Sequence, residues 1–467
     1  MSPSAIILAT LVGYKVLLLA IGLWASRRVT DAGDFFLARS GGLGAWTAGL
    51  SYAASTSSAW VLLGFTGAVF DRGLVALWLL PGIFGGYVMT WLVMGPYLQR
   101  ATRAQNHLTV VDIIAHGAGR WARPIGVVAA ALILFCFVFY ISSQFQAAGN
   151  ALGDAFGLGT AEALLVGAAV ILAYCLLGGF LAASITDALQ AGVMVAACIV
   201  VPVAMVMASG GLGSVMSGIA AQPDAFRSPT GGAVGLLGVG AALGLVGTGL
   251  GALGQPQLLN RIMAVRTPTE RLRGAAITIG WGVVIYSGLV LLALSARGMA
   301  LDTQGEALFF AAARTVLPPV LAGVVIAAVL SAVMSTVDSL LLAAASAVSH
   351  DSGLTRAGSS RALRVGRLSM VGVAAVAVAL TLFAPKDIFS RVLFSWVALG
   401  AAFGPSLLVR SLGWQVRGGA VLLAMPAGFA VAVCAYNIPG TAADLVETWG
   451  SWAVGLSLLA AGRVRGV

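Results

Sequence analysis

Charge is what this sequence has least of. Only 9% of its 467 residues are Asp, Glu, Lys or Arg, where an ordinary soluble domain carries about 25%, and that deficit excludes a water-soluble fold. Cysteine is scarce too: Cys136, Cys175, Cys198 and Cys434 all fall in apolar stretches, with no CxxC spacing and no histidine partner. They read as small buried hydrophobes and argue against a disulfide framework or a zinc site. Histidine occurs three times. His107 and His116 lack a carboxylate at ligand spacing, and the 96–121 loop that holds them reads as an amphipathic interfacial helix. His350 and Asp351 are adjacent, and neighbours on a helix do not face each other, so the chain shows no paired catalytic constellation.

Apolar residues, by contrast, make up 60% of the chain, in long stretches from Ile6 to Leu459. An unsatisfied backbone group in hydrocarbon costs several kcal/mol, so a spanning segment must be a helix or part of a closed barrel. Barrel strands need about 10 alternating residues, whereas these runs approach 20 and are apolar on every side. The fold class is therefore an all-α polytopic membrane protein. Thirteen spans can be drawn, at 5–26, 45–70, 74–95, 122–151, 160–180, 186–208, 233–255, 274–296, 318–349, 365–384, 389–410, 418–437 and 443–461. The first lacks a basic leader and a cleavage site and is read as a span; Lys15 in its middle either snorkels or faces another helix.

The basic residues orient this bundle. Arg27, Arg28, Arg39, Arg100, Arg103, Arg120, Arg123, Arg261, Arg266, Arg271, Arg273, Arg356, Arg361, Arg364, Arg367, Arg410, Arg417, Arg463 and Arg465 fall on one side. Only Arg72, Arg227, Arg297, Arg314, Lys386 and Arg391 fall on the other. By the positive-inside rule the first side is cytoplasmic, which puts the N-terminus outside and the C-terminus inside. Net charge of +10 thus needs no nucleic-acid partner. Anionic inner-leaflet lipid is the expected neighbour.

Three spans carry chemistry. In the second, Ser51, Ser55, Thr56, Ser57 and Ser58 crowd one short segment; such hydroxyls bond back to the i−4 carbonyl and loosen the ladder. Either the helix breaks there and offers oxygen ligands to a small hard cation, or these are small residues for close helix packing. In the seventh, glycines at 235, 238, 240, 244, 247, 249, 251 and 254 precede Gln255 and Pro256. Each Gly costs about 1 kcal/mol of helix propensity relative to Ala, so a discontinuous helix is expected. Paired interruptions at matching positions of two halves point to a midplane binding site. Spans two to six and seven to eleven supply two such sets of five, and an odd repeat implies inverted topology. The chain then divides into 1–44, a first repeat at 45–208, a second at 209–411, and two terminal helices at 412–467.

The ninth span places Ser331 and Ser335 on one face, with Asp338 one turn beyond and Ser339 stacked above it. A carboxylate inside a span marks a functional site by default; a structural bond to its Ser or Thr neighbours, or a place near the interface, is the alternative.

The stretches DAGDFFLARSGGLGAWTAGLSYAASTSSAW, GGFLAASITDALQAGVM, GALGQPQLLNRIMA and VLSAVMSTVDSLLLAAASAVSHD resemble the sodium:solute symporter family, most closely its bacterial sodium/proline carriers, in order and over nearly the whole chain. The resemblance implies about 13 transmembrane helices, a LeuT-like inverted five-plus-five helix repeat with extra helices, and sodium-driven import across the bacterial inner membrane. It implies a sodium site built from the carbonyls of Ala54, Ser57 and Ala332 and the hydroxyls of Ser335 and Thr336. An all-oxygen site of this kind suits a hard monovalent cation. Asp187 matches an aspartate linked to sodium coupling, and also reads as a charge favourable to a helix N-terminus.

Two departures stand out. The proline carriers have an aspartate where this chain has Thr56, so Thr56, Asp187 and Asp338 form the coupling set, and a proton-coupled carrier is the alternative. Trp60 and Tyr140 match aromatics of the proline pocket, but Thr248 and Ala252 replace a Trp and a Tyr. Trp60, Tyr140, Thr248, Gln255 and the backbone of 249–251 are expected to face a cavity, with a half-helix N-terminus meeting a carboxylate or zwitterion. Proline, another amino acid and a small carboxylate remain open as cargo, and no organic cofactor is expected. A sensor built on such a bundle would add a signalling domain, and the chain runs only a few residues past its last apolar stretch.

Overall fold

Apolar runs of this length close their backbone bonds within themselves, and in the computed structural model they do so as helices. The structure describes residues 12–14, 16–18, 20, 21, 23, 24, 36, 37, 42–177, 179–355, 360–384 and 387–464. Lys15, Arg27, Arg28, Arg39, Arg356, Lys386 and Arg465 lie outside the described residues. Among the described residues, β structure is limited to two isolated bridges, and nine helices are long and apolar enough to cross a membrane.

The principal helices are α1 (Ala45–Thr56), α2 (60–72), α3 (73–105), α4 (Ala122–Phe156), α5 (Thr160–Leu177), α6 (Phe180–Ala208) and α7 (Gly235–Gly247). After a 3₁₀ turn come α8 (Pro256–Met263), α9 (Pro268–Gly298), α10 (Pro319–Ser346), α11 (Ser360–Phe383), α12 (Ile388–Ser411), α13 (Gly418–Tyr436) and α14 (441–461). Large apolar side chains on the periphery, such as Trp46, Met207, Leu236 and Phe383, are exposed, as a surface facing lipid requires. Helix α10 behaves oppositely, with the whole of its most apolar window enclosed. It is the centre of the bundle, packed on α4, α6, α1 and α11.

Several expectations need correction. Cys434 is exposed, unlike the other three cysteines, because α13 buries only part of its circumference. The 96–121 loop forms three short pieces, the end of α3, a helix Val110–Ala115 and a 3₁₀ turn Gly119–Trp121, the first two separated by Asn106 in a left-handed conformation. Thr109 caps that short helix in a reciprocal capping box with Asp112. His350 and Asp351 do converge, because a π-helical turn at Ala347–Asp351 ends the ninth span. His350 Nε2 lies 3.0 Å from Asp112 Oδ1, and Thr109 Oγ1 donates to Asp351 at 2.7 Å. Burial works to raise the Asp112 carboxyl, but the bond with His350 and the amides of Leu108 and Thr109 outweigh it and hold it below the usual carboxylate range.

Asp187 is not at an approach to span six; α6 begins at Phe180, so Asp187 lies two turns inside it and is fully buried. Nor are all the arginines loop charges: Arg261, Arg271 and Arg391 are buried.

The reversal between α2 and α3 rests on one residue. Gly73 has φ 73° and ψ −144°, a region left-handed enough to exclude most side chains, and a Cβ there would lie 2.1 Å from the Phe226 carbonyl oxygen. Gly73→Ala should lower stability by about 1–3 kcal/mol from backbone strain alone. Gly85→Ala, where a Cβ meets nothing, should not, as thermal unfolding in detergent will read.

Candidate ion and solute site

Polar oxygens inside the bundle come from where span two stops being a helix. α1 ends at Thr56, Ser57 leaves helical geometry at φ −94°, ψ 62°, and the chain restarts as a π-helical turn at Trp60–Phe65. Side chains cap the restart. Ala59 N donates to Gln144 Oε1 at 3.1 Å and Trp60 N to Ser58 Oγ at 3.1 Å. Across the break lies α10, whose Ser335 Oγ donates to Ala54 O at 3.3 Å and to Ala332 O at 3.1 Å. Thr336 Oγ1 reaches Ser55 O at 3.4 Å and Ala332 O at 2.9 Å. Ala54, Ala332, Ser335 and Thr336 are thus brought together as a cluster of oxygens with the Ser55 carbonyl, which the sequence reading missed. Ser57 is fully buried at the break itself.

Below this cluster a charged network joins four helices. Arg261, 1% exposed, sends Nη2 to Asp187 Oδ2 at 3.0 Å and to Ser339 Oγ, and Nε to Ser51 Oγ at 3.0 Å. Its guanidinium also lies 5.2 Å from the Phe180 ring centre and bonds the Gln257 carbonyl. Ser51 Oγ donates to Asp187 Oδ2 at 2.7 Å. Ser55 Oγ lies 3.1 Å from Ser339 Oγ, which donates to Asp338 Oδ1 at 3.1 Å. Asp338 is 2% exposed. Two enclosed carboxylates therefore share one network with one guanidinium beside the oxygen cluster. Counted as a loop arginine, Arg261 was invisible in sequence. It comes inward because span seven breaks and α8 folds its last turn back under α1.

The second interruption is at Thr248–Gly254, where α7 tightens into a 3₁₀ turn before Gln255 becomes extended and Pro256 opens α8. Between the two breaks lies a cavity of about 30 Å³, room for one or two waters. Trp60, Tyr140, Thr248, Thr56 and the backbone of Gly249 line it, with Tyr87, Tyr286 and Trp396. Thr56 therefore belongs to the cavity wall, its hydroxyl bonded back to Tyr52 O at 2.7 Å. Gln255 does not line it: its amide donates to Gly251 O at 3.1 Å and Trp396 O at 3.0 Å. At the start of the half-helix the Leu258 and Leu259 amides both bond the Gln255 carbonyl.

The profile of the sodium:solute symporter family matches residues 35–420. The chain belongs to that family. It is 32% identical over 456 residues to the high-affinity proline transporter PutP of Bacillus subtilis, covering 92% of this chain and 94% of that one. It is 31% identical over 441 residues to the sodium/proline symporter of Escherichia coli, covering 90% and 86%. A solved Na⁺-coupled sialic acid symporter superposes with a TM-score of 0.80 over 99% of both chains at 13% identity, a likeness of fold. The symporter is an all-α polytopic membrane protein that shares the fold of the solved sialic acid symporter, and a multi-pass transporter of the bacterial inner membrane. It carries out sodium-coupled secondary transport of a small polar solute, and its family is one of transporters.

Removing one partner of a buried ion pair strands the other charge, at about 3–5 kcal/mol. Asp187→Ala should destabilise the symporter by that much, and Asp187→Ala with Arg261→Met should recover most of it. A double-mutant cycle on unfolding in detergent reads the difference; simple additivity would remove the pair from the structural account.

Proposed function

We propose that the symporter imports proline, or an amino acid of similar size, together with sodium held by the carbonyls of Ala54, Ser57 and Ala332 and the hydroxyls of Ser335 and Thr336. The observation that carries this reading is the meeting of the span-two break with the paired hydroxyls of span nine. Ser335 and Thr336 point about 100° apart on the helix, so they flank a groove, and the groove is filled by carbonyls that the break exposes. Oxygen ligands without a carboxylate suit a hard monovalent ion. Asp187 and Asp338, enclosed in one network with Arg261 beside this groove, are the coupling residues. Thr56, one residue before the break, links the ion site to the cavity wall.

The solute fills the space between Trp60, Tyr140 and Thr248. No charged side chain lines this cavity, which suits a compact solute whose polar ends meet hydroxyls and whose body meets rings. Gln255 acts from behind the wall. Around this centre the reading completes the architecture with 13 helices, an inverted five-plus-five repeat at 45–208 and 209–411, the N-terminus in the periplasm, the C-terminus in the cytoplasm, and anionic lipid against the cytoplasmic arginines.

Proteoliposomes with separately imposed gradients test it. Proline uptake should follow an inward sodium gradient, and a pH gradient alone should drive none. Ser335→Ala and Thr336→Ala should each raise the sodium concentration for half-maximal uptake, by about tenfold for a lost ligand worth about 1.4 kcal/mol, and the double variant more. Because coupling is reciprocal, solute affinity at low sodium should fall in parallel. Unchanged sodium dependence in the folded double variant would remove the ion from this groove.

A further inference from the structure

We propose that Trp396 is the fixed wall of the solute cavity and sets the size of solute the symporter accepts, while Trp60 is the wall that moves. The inference rests on the cargo reading above for the identity of the solute, but its mechanical part does not.

The cavity is too small for an amino acid, so a side chain must yield for one to enter. The two tryptophans that line it are held very differently. Trp396 is fastened from both ends. Its indole Nε1 donates to Thr248 O at 2.9 Å, a carbonyl at the start of the 3₁₀ turn. Its own carbonyl accepts from Gln255 Nε2 at 3.0 Å. Beneath the ring lies Gly251, where a Cβ would sit 2.0 Å from Trp396 Cδ1 and 2.2 Å from Nε1. Glycine here is a seat for the indole, and the seat admits one orientation. Buried Gln255, turned away from the cavity, is explained by this fastening.

Trp60 has no such hold. Its indole nitrogen is buried without a hydrogen-bond partner, and its ring lies against Phe389 at 5.7 Å between centres and 23° between planes. It also stands directly after the span-two break, on the segment that restarts beside the ion groove. Sodium binding at that groove acts on Trp60 through two residues of non-helical chain, whereas Trp396 is anchored to the other interrupted span.

The test has two arms. In the first, labelled proline uptake by proteoliposomes is competed with its four-membered and six-membered ring homologues, azetidine-2-carboxylate and pipecolate. One methylene in an apolar pocket is worth about tenfold or more, so Trp396→Phe should raise the potency of pipecolate relative to proline about tenfold, with sodium half-saturation unchanged. Gly251→Ala, which unseats the indole without altering it, should shift the ranking the same way. Trp60→Phe should weaken all three solutes together and keep their order. An unchanged ranking in folded Trp396→Phe overturns the size-setting role.

In the second arm, 5-fluorotryptophan resonances of the detergent-solubilised protein, assigned by the same single substitutions, are followed as sodium alone is added. The Trp60 line should shift and the Trp396 line should hold. Equal movement of both overturns the inference whatever the cargo. Absence of proline uptake by the unmodified symporter would instead overturn the cargo reading, leaving this second arm to decide the rest.

Discussion

A helix that stops inside hydrocarbon has to find partners for the backbone groups it releases, and the architecture of this symporter follows from how it does so twice. At Ser57–Ser58 the released amides are met by Gln144 and Ser58, and the released carbonyls by Ser335 and Thr336. At Thr248–Gly254 the chain stays wound but tighter, and the carbonyls that lose regular partners go to Trp396 and Gln255. Each solution brings a second helix against the break, α10 in one case and α12 in the other. The proposed ion groove and solute cavity are the spaces between those contacts.

Electrostatics then decides what the spaces hold. A guanidinium in a membrane interior is tolerated only with its charge met, and Arg261 is met by Asp187 and a ring of serine hydroxyls. Asp338 lies in the same network, next to a cluster of neutral oxygens. The cavity further on is lined by no charged side chain among the described residues and is walled by rings. Two neighbouring compartments thus differ in the property that separates a cation from an organic solute.

Much of this was legible in sequence, and the reason is the bilayer. It forces every spanning run into a helix, so segments that make poor helices announce themselves: the hydroxyl run at 51–58 and the glycine run at 235–254 both mark real interruptions. Asp338 stood out because carboxylates are rare in spans. What stayed hidden depended on where the chain goes after a break. Arg261 looked like one more cytoplasmic arginine because its inward turn follows from the geometry of α8, which no periodicity encodes. Trp396 was one aromatic among 38 Phe, Trp and Tyr residues, and nothing but its seat on Gly251 singles it out. Gln255 was expected to face the cavity and does not, since a buried amide beside a broken helix has backbone to satisfy first.

The enclosure of α10 from Val325 onward also has a meaning for how the protein is made. A helix buried all round from Val325 to Ser346, carrying five hydroxyl or carboxyl groups between Ser331 and Ser339, is a poor guest for an empty bilayer. Synthesis runs from the N-terminus, so α1, α4, α6 and α8 are already threaded when α10 leaves the ribosome. Ser55, Asp187 and Arg261 therefore precede Asp338 into the membrane. The order of the genes' own reading supplies a polar niche before the segment that needs it, and the central helix of the finished carrier is one that only a half-built carrier can receive.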